Sequence, residues 1–572
     1  MENEEQNPET TEQKAELPST PTEKPTAEEL IPDTIPDSIE KRKKYLKNFL
    51  TKWVKNDYDK LFILVLIAAF IIRIIIYTKT NDQAIWWDAA DYLSNAKRWG
   101  LGLDTIDTWY YRRGFLWPLL GALFFKIGLG ELSIRFFVVL LSTGIVLATY
   151  LLISEMFNRR LALLTSIAVT FSWVFLFFTG RPLTNLPSTF FFLFALLFFW
   201  KGYIKNKGAK FFILFGMFYA FACLTRMQYL MFAPSFVVLA FVKEKLAFLK
   251  NKYLWLSILV FVIIFIPQLI IHNAHFGNPV LDLTTYYLGI GGSKTGEVGV
   301  ELAQTSDLFL YINNLPYILD ANQQGYNSLF VLSPIYLLFI AGFFLFFIDL
   351  FLGFDKIFKN PLIQKKFFIL FLITSTILFL GYMAPQLEQR YIMPIIPFLF
   401  LIVIYPFFIA NSFLKKKFNI ETKTIIIILS IILIVILIPN YKFGFSLIDS
   451  KKSSYQEVKL AGEWIKQNSN PEDIVIGSGL PQLTYYSERS VYPFELSYRR
   501  DIPRLGEDDL DKFILENKPK YMVLSAYQVE EPWATNYPQK HSDLLVPIKA
   551  FGPNNQPVVI IYWFNHEKVR IS

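Results

Sequence analysis

The sequence predicts a polytopic α-helical membrane protein with a small α/β domain at its C-terminal end. Hydrophobic residues make up 53% of the 572 residues and charged residues only 18%, a balance that is unusual for a soluble protein. Several apolar runs reach the roughly 20 residues that a helix needs to cross a bilayer. The apolar runs stop near residue 440, and strand and helix patterns alternate from there to the end.

The first 58 residues are expected to form a cytoplasmic tail. Residues 1–40 are rich in Glu, Pro and Thr and poor in aromatic residues, which is typical of a disordered segment. Residues 40–60 are basic, and the positive-inside rule assigns such a segment to the cytoplasm. Because the N-terminus is long, acidic and polar, we expect no cleavable signal peptide.

Between residues 59 and 440, apolar runs that alternate with basic loops predict about eleven membrane spans. The first run, Leu61–Tyr77, leads outward. The next run, Leu116–Ile127, is too short to cross, so we expect a helix in the outer interface. If Leu116–Ile127 is not counted as a span, Lys201–Lys210 and Lys243–Lys252 lie on the cytoplasmic side. The long loop from His272 to about residue 328 then lies outside, and we expect it to face substrate.

From residue 441 to residue 572 the pattern predicts an extracytoplasmic α/β domain. Residues 455–468 read as an amphipathic helix and residues 508–517 as a second helix. Strands are predicted at 473–477, 520–525 and 558–564. The protein is therefore expected in the cell membrane, with a cytoplasmic N-terminus and its C-terminal domain outside.

Composition and charge exclude several classes of site. The net charge of +8 follows from basic cytoplasmic loops, so no nucleic-acid partner is expected. One cysteine, Cys223, and four histidines exclude a disulfide framework and argue against a thiolate or His-rich metal site. We expect no cofactor, while a divalent metal ion stays open. Few ionisable residues interrupt the spans, which argues against a transporter.

The loop Ile85–Phe115 carries the residues that most strongly indicate a catalytic site. Asp88, Asp91 and Tyr92 have the spacing i, i+3, i+4, which places them on one face of a helix. Arg112 and Arg113 bring basic groups to the same border of the membrane. A carboxylate beside guanidinium groups suits a proton acceptor next to an anion site. An interfacial amphipathic helix with anchoring aromatic residues would explain the same loop without chemistry.

Three further elements of the same face carry arginine. They contain Arg181, Arg226, and Arg390 within the stretch from Glu388 to Tyr391. The planar guanidinium donates two hydrogen bonds to adjacent oxygens, so such a cluster suits a phosphate at the level of the lipid headgroups. A single arginine that anchors a helix end would explain any one of these elements, but four elements on one face favour the phosphate site.

From Leu61 to Ile409 these segments resemble the GT-C integral-membrane glycosyltransferases. In particular they resemble glycosyltransferase family 39, which includes protein O-mannosyltransferases and lipid A aminoarabinose transferases. The matching segments, in order, are WWDAADYL with Asp88, RRGFLWP from Arg112, R-x-L-T-x-x-P from Arg181 to Pro187, the turn Leu224 to Arg226, the loop start Asn273 to Pro279, and the helix start Arg390 to Pro394.

The resemblance implies transfer of a sugar from a polyprenyl phosphate, dolichyl or undecaprenyl, to a hydroxyl group of a lipid, glycan or protein acceptor outside the bilayer. It implies inversion at the sugar carbon, with Asp88 as the general base. Arg113, Arg226 and Arg390 would bind the donor phosphate. Substrate-positioning roles are expected for the other residues of these segments: Asp91, Tyr92, Arg112, Arg181, Asn185, Glu388 and Tyr391.

Asn185 departs from the family pattern, which usually has an acid at this position. This departure leaves open a non-catalytic binding or assembly protein of the same fold. A lipid or solute transporter stays open as a separate alternative.

Overall fold

The computed structural model describes residues 56–284, 308–320, 333–383, 387–494, 505–528, 530–553 and 556–568. The chain divides into two compact units, Met1–Asp59 and Lys60–Ser572. Only residues 56–59 of the first unit are described, so the predicted tail lies almost entirely outside the described residues. Part of the predicted substrate-facing loop after His272 lies outside them as well.

Helices dominate the described residues up to residue 450. Their bounds are α1 Asp57–Thr80, α2 Trp87–Leu101, α3 Leu116–Lys126, α4 Gly130–Met156, α5 Arg159–Phe171, α6 Trp173–Thr179, α7 Asn185–Phe199 with a π-helical extension to Ile204, α8 Ala209–Thr225, α9 Ala233–Glu244, α10 Lys252–Phe276, α11 Leu281–Leu283, α12 Leu310–Asn313, α13 Leu315–Asp320, α14 Pro334–Leu352, α15 Pro361–Met383, α16 Ile396–Phe418 and α17 Thr422–Ser450.

Among the described residues, eight helices are long and apolar enough to cross a membrane. The number rises to nine if α5 and α6, which meet at 52°, are counted as one bent span. By length and composition, the described residues therefore contain two or three fewer spans than the eleven predicted. The difference lies on either side of Arg226. There α8 has only 17 residues, and the next predicted span is divided into a 3-10 segment, Met227–Phe232, and the 12-residue α9.

The short helix α3 packs closely against α2, and small residues make this approach possible. A Cβ atom added to Gly121 would lie 2.8 Å from the Cβ of Ala96, and one added to Gly100 would lie 2.5 Å from the carbonyl oxygen of Ala122. Gly114, in the turn before α3, is closer still to the end of α8, because its added Cβ would lie 2.1 Å from the Leu224 carbonyl oxygen. These contacts bring α2, α3 and α8 together.

The C-terminal part forms a five-stranded sheet with flanking helices. Its elements are α18 Gln456–Gln467, β1 Ile474–Gly477, α19 Leu480–Ser487, β2 Ser490–Tyr492, α20 Glu507–Asn517, β3 Tyr521–Ser525, α21 Pro532–Lys540, β4 Leu545–Phe551 and β5 Val559–Phe564. The strand order is β2-β1-β3-β5-β4. Strand β1 is parallel to β2 and β3, and β5 is antiparallel to β3 and β4.

Successive residues of the strands feed two apolar layers, one on each face of the sheet. Val475 and Val523 pack in the layer that contains α18, whereas their neighbours Ile476 and Met522 pack in the layer that contains α20 and α21. The two predicted helices and three predicted strands of this part are confirmed, and α19, α21, β2 and β4 are additional. Helix α17 extends through the predicted boundary at residue 441 and ends at Ser450.

Helix α19 fixes the sheet domain to α2. The Pro481 carbonyl oxygen accepts a hydrogen bond from Ser94 Oγ at 3.1 Å, and Tyr486 Oη accepts one from the Ile85 backbone N–H at 2.8 Å. Lys97 forms an ion pair at 2.5 Å with Glu488, which directly follows α19. The C-terminal domain therefore holds the helix that carries Asp88.

We expect Gly114→Ala to lower the thermal stability of the purified protein by several degrees. The added methyl group meets a backbone carbonyl that cannot turn away, and overpacking of this kind costs about 1–3 kcal/mol. Gly102→Asn is the control, since Gly102 has φ +67° with open space around it, and asparagine tolerates this conformation. An unchanged unfolding temperature for Gly114→Ala, measured in detergent, would contradict the close packing.

Candidate active site

Helix α2 displays the acidic residues of the site. It begins after Trp86, ends at Gly102 in the left-handed conformation, and has Asp88 in its first turn, where the helix dipole favours a negative charge. Asp88 and Asp91 lie on one face, as their spacing predicts. They differ in exposure, because 37% of the Asp88 side chain but only 1% of the Asp91 side chain is accessible. Asp88 is thus the carboxylate that a substrate can contact.

Two arginines from distant parts of the chain bind Asp88. Arg390 Nη1 donates to Asp88 Oδ2 at 2.8 Å, and Arg113 Nη2 donates to Asp88 Oδ1 at 3.3 Å. The other terminal nitrogen of Arg113 lies 3.0 Å from Asp91 Oδ2. Both oxygens of Asp88 are therefore occupied by guanidinium groups.

The stretch around Arg390 adds a third arginine to the cluster. Arg390 Nε lies 3.2 Å from Glu388 Oε2. The guanidinium carbons of Arg390 and Arg226 lie 5.5 and 4.8 Å from the ring centroid of Tyr391, so this ring contacts both cations. Arg113 and Arg390 pair with the carboxylates of Asp88, Asp91 and Glu388, and Arg226 joins the cluster through Tyr391, so three positive and three negative charges balance.

Electrostatics keep Asp88 ionised. Burial by itself raises the pKa of its carboxyl group, but the charges of Arg113 and then Arg390, with a further contribution from Arg226, outweigh burial and lower the pKa to about 2. For Arg390, burial lowers the pKa, and Asp88, Tyr391 and Glu388 together raise it above its ordinary value. Asp88 is therefore a carboxylate at neutral pH.

Arg113 is held by the predicted site residue Tyr92 and by Tyr110 and Gln268, which are not among the predicted site residues. Its guanidinium carbon lies 5.1 Å from the ring centroid of Tyr92 and 5.9 Å from that of Tyr110. The side-chain amide of Gln268, on α10, donates to the Arg113 carbonyl oxygen at 3.4 Å. A polar residue beside Pro267 in an apolar run is a signal that could have identified Gln268.

Tyr311 is a second residue that sequence reasoning misses. Its side chain is fully buried, and its hydroxyl group lies 3.4 Å from the Glu388 backbone nitrogen and 3.5 Å from the Glu388 carbonyl oxygen. It lies on α12, within the segment that the sequence predicts to be a substrate-facing loop, and that role stays a prediction.

The structure brings together eight of the predicted site residues: Asp88, Asp91 and Tyr92 on α2, Arg113, Arg226, and Glu388, Arg390 and Tyr391. Arg112 does not join them, because its guanidinium carbon lies 5.6 Å from the Phe276 ring. Arg181 lies apart from the ion pairs, beside Trp86 and Phe177. Asn185 reaches the cluster through its amide, which donates to the Arg390 carbonyl oxygen at 3.3 Å.

The arrangement offers two chemical functions side by side. Asp88 can accept a proton, and the guanidinium groups of Arg113, Arg226 and Arg390 can bind a phosphate. Within the described part of the chain, no group of three or more His, Cys, Asp or Glu side chains is placed to hold a metal ion.

Residues 112–271 match the family model described as dolichyl-phosphate-mannose-protein mannosyltransferase. The matched segment includes Arg113, Arg181 and Arg226 but neither Asp88 nor Arg390. No curated protein sequence matches the chain significantly.

Solved structures share the fold over most of the chain. ArnT from Cupriavidus metallidurans bound to undecaprenyl phosphate is 13% identical, with 89% of this chain and 98% of that chain covered and a TM-score of 0.63. The Archaeoglobus fulgidus oligosaccharyltransferase tethered with an acceptor peptide containing the NVT sequon is 14% identical, with 91% and 76% covered and a TM-score of 0.54.

AglB from Archaeoglobus fulgidus in complex with an inhibitory peptide and a dolichol-phosphate is 12% identical, with 91% of this chain and 76% of that chain covered and a TM-score of 0.53. At these identities the likeness establishes the fold. The predicted fold class and the predicted resemblance are confirmed: the chain is a multi-pass membrane protein with the GT-C fold of ArnT and AglB, and its residues 112–271 match the dolichyl-phosphate-mannose-protein mannosyltransferase family.

Proposed function

We propose that the protein is a glycosyltransferase that moves a sugar from a polyprenyl phosphate to a hydroxyl group of an acceptor. The observation that carries this proposal is the Asp88 carboxylate, which lies at the start of α2 between Arg113 and Arg390. A proton acceptor beside phosphate-binding groups is what this reaction needs. The shared fold supports the same donor class, since ArnT is described with undecaprenyl phosphate and AglB with dolichol-phosphate.

In the proposed reaction the acceptor oxygen attacks the anomeric carbon of the sugar. The bond between that carbon and the phosphate oxygen breaks on the opposite side, so the configuration inverts. Asp88 takes the proton of the acceptor hydroxyl. The electron pair of the broken bond stays on the polyprenyl phosphate, where Arg390, Arg226 and Arg113 stabilise the growing negative charge.

Donor binding and base strength are linked in this mechanism. A carboxylate with a pKa of about 2 is a weak base at neutral pH. A donor phosphate competes with Asp88 for Arg390 and Arg113. As these arginines turn to the phosphate, they lower the pKa of Asp88 less, so its basicity rises in the complex that reacts.

Asn185 is compatible with catalysis by Asp88. Its amide nitrogen donates a hydrogen bond to the Arg390 carbonyl oxygen, and an ionised carboxylate has no proton to donate there. An asparagine at position 185 therefore favours a role for this residue in positioning Arg390. The alternatives are a non-catalytic protein of this fold and a transporter. Both predict that the wild-type protein transfers no sugar, so that removing the Asp88 charge changes no transfer rate.

We further propose that the site and the C-terminal domain lie on the extracytoplasmic side, as the basic loops indicate. Cysteines introduced at the exposed positions Glu472 and Lys207 report opposite faces. An impermeant maleimide added to intact cells is expected to label position 472 and not position 207. The unmodified chain is the control, since Cys223 is buried. The reverse labelling pattern would invert the topology.

The catalytic role is tested by Asp88→Asn, which keeps the shape of the side chain and removes its basicity. We expect transfer to fall by at least about a hundredfold, because a positioned base contributes about 10² to 10⁴ in rate. The assay follows release of polyprenyl phosphate from a panel of polyprenyl-phosphate sugars by purified protein in lipid. Asp91→Asn, at the buried neighbour, is expected to lose far less. Near-normal turnover by Asp88→Asn would place the base elsewhere.

The phosphate role is tested at Arg390. We expect Arg390→Ala to weaken binding of undecaprenyl phosphate about 10- to 100-fold, since hydrogen bonds to charged groups contribute about 1.5–3 kcal/mol. Arg390→Lys should recover only part of this affinity, because the planar two-donor edge is lost. Arg112→Ala removes an equal charge that faces Phe276, so its effect should be smaller. Equal affinity in the wild type and Arg390→Ala would remove Arg390 from the donor site.

A further inference from the structure

Arg181 is a buried cation that takes no part in the Asp88 cluster. It lies between α6 and α7, and only 4% of the residue is exposed. Its guanidinium carbon lies 4.1 Å from the ring centroid of Trp86 and 3.7 Å from that of Phe177. Its Nη1 donates to the Phe177 carbonyl oxygen at 2.5 Å. Two aromatic rings and one carbonyl group thus hold the guanidinium in place.

One edge of this guanidinium has no hydrogen-bond partner among the described residues. Its Nε and Nη2 atoms are buried and have no hydrogen-bond partner in the described part of the chain. The N–H bonds of these two atoms point in the same direction, which is the geometry that binds two oxygens of one carboxylate or phosphate. Arg181 has no acidic partner among the described residues. Its charged neighbour is Arg135, which itself pairs with Glu131 at 2.6 Å.

Trp86, whose ring contacts Arg181, and Asn185, at the start of α7, also carry unpaired polar atoms. Trp86 Nε1 and Asn185 Oδ1 are buried without a hydrogen-bond partner in the described structure. Trp86 directly precedes α2, and Asn185 binds the Arg390 carbonyl, so both residues border the site of Asp88. An unmet buried donor or acceptor costs about 1–3 kcal/mol. Ordered water can satisfy single polar atoms, but it does not neutralise the charge of Arg181.

We infer that the substrate carries a second oxyanion, a carboxylate or a phosphate, that binds the Nε and Nη2 edge of Arg181. The inference rests on the proposed function, because it assigns a substrate class to the site of Asp88. The lipid phosphate has its own arginines, Arg113, Arg226 and Arg390. The second anion therefore belongs either to the transferred sugar, as in a uronic acid, or to the acceptor. The unpaired polar atoms of Trp86 and Asn185 would bind neighbouring hydroxyl groups.

The test compares pairs of probes that differ in one anionic group. The donor arm uses undecaprenyl-phosphate glucose and undecaprenyl-phosphate glucuronic acid, and the acceptor arm uses methyl glucoside against methyl glucuronide and methyl glucoside 6-phosphate. Binding to the full-length protein in nanodiscs is measured by thermal stabilisation. In one arm we expect the anionic probe to bind at least about tenfold more tightly than its neutral twin, the lower end of the contribution of a charged hydrogen bond.

Arg181→Gln should bring this ratio to about one, and Arg181→Lys should restore only part of it. The control is Arg159→Gln, which removes an equal charge at an exposed position at the start of α5. A cooperative unfolding transition without any added probe shows that each variant is folded. If Arg181→Gln does not fold, a ratio at least threefold lower in Arg181→Lys than in the wild type supports the same conclusion.

Three results would overturn the inference: equal binding of every pair, an unchanged ratio in the Arg181 variants, or a loss of undecaprenyl phosphate affinity in Arg181→Gln as large as that in Arg390→Ala. The last result would make Arg181 part of the lipid phosphate site. Because binding is measured without turnover, a protein that shows the anion preference but transfers no sugar would refute the proposed reaction and leave this site standing.

Discussion

The ion pair between Asp88 and Arg390 is the contact on which the candidate site depends. It joins residues that are 302 positions apart in the chain at a distance of 2.8 Å. Arg390 is also tied to α7 through its carbonyl oxygen and Asn185, and its neighbour Tyr391 contacts Arg226 at the end of α8. The pair is partly buried, so breaking it is expected to cost more than breaking a fully exposed ion pair. The same contact therefore locates four segments and presents the reactive groups.

The balance of charge in the cluster explains how a phosphate site can exist beside a base. Three arginines alone would repel one another, and three carboxylates alone would repel a phosphate. Together they form a preorganised network in which a phosphate replaces carboxylates as the partner of the arginines. In the proposed mechanism this exchange of partners, and not a large movement of helices, prepares Asp88 for reaction.

Local spacing predicted the parts of the site that one helix determines. Asp88, Asp91 and Tyr92 share a face because the helical repeat requires it, and the alternation of basic loops placed Arg226 and Arg390 near them. The sequence could not separate Arg112 from Arg113, because adjacent residues in a turn can face different neighbours. It also could not identify Gln268, whose contact with the Arg113 backbone depends on the packing of α10.

The same limit applies to the fold. Long apolar runs and the strongest strand patterns were recognisable, since each carries its own periodicity. Strand β2 has three residues, and β4 contains Pro547 at the edge of the sheet and is largely exposed, so neither has a clear hydrophobic pattern. The predicted span after Arg226 is divided between Phe232 and Ala233, next to Pro234 in the first turn of α9.

The docking of α19 on α2 also sets the order in which the protein can be completed during synthesis. The hydrogen bonds from Ile85 to Tyr486 and from Ser94 to Pro481 link residues 401 and 387 positions apart. At about 5–20 residues per second, the ribosome needs roughly 20 to 80 seconds to make the chain between them. Throughout that time the helix that bears Asp88 lacks its partner domain. A nascent chain inserted in the membrane therefore has its charged cluster only partly supported, and the C-terminal domain is the last piece that fixes it.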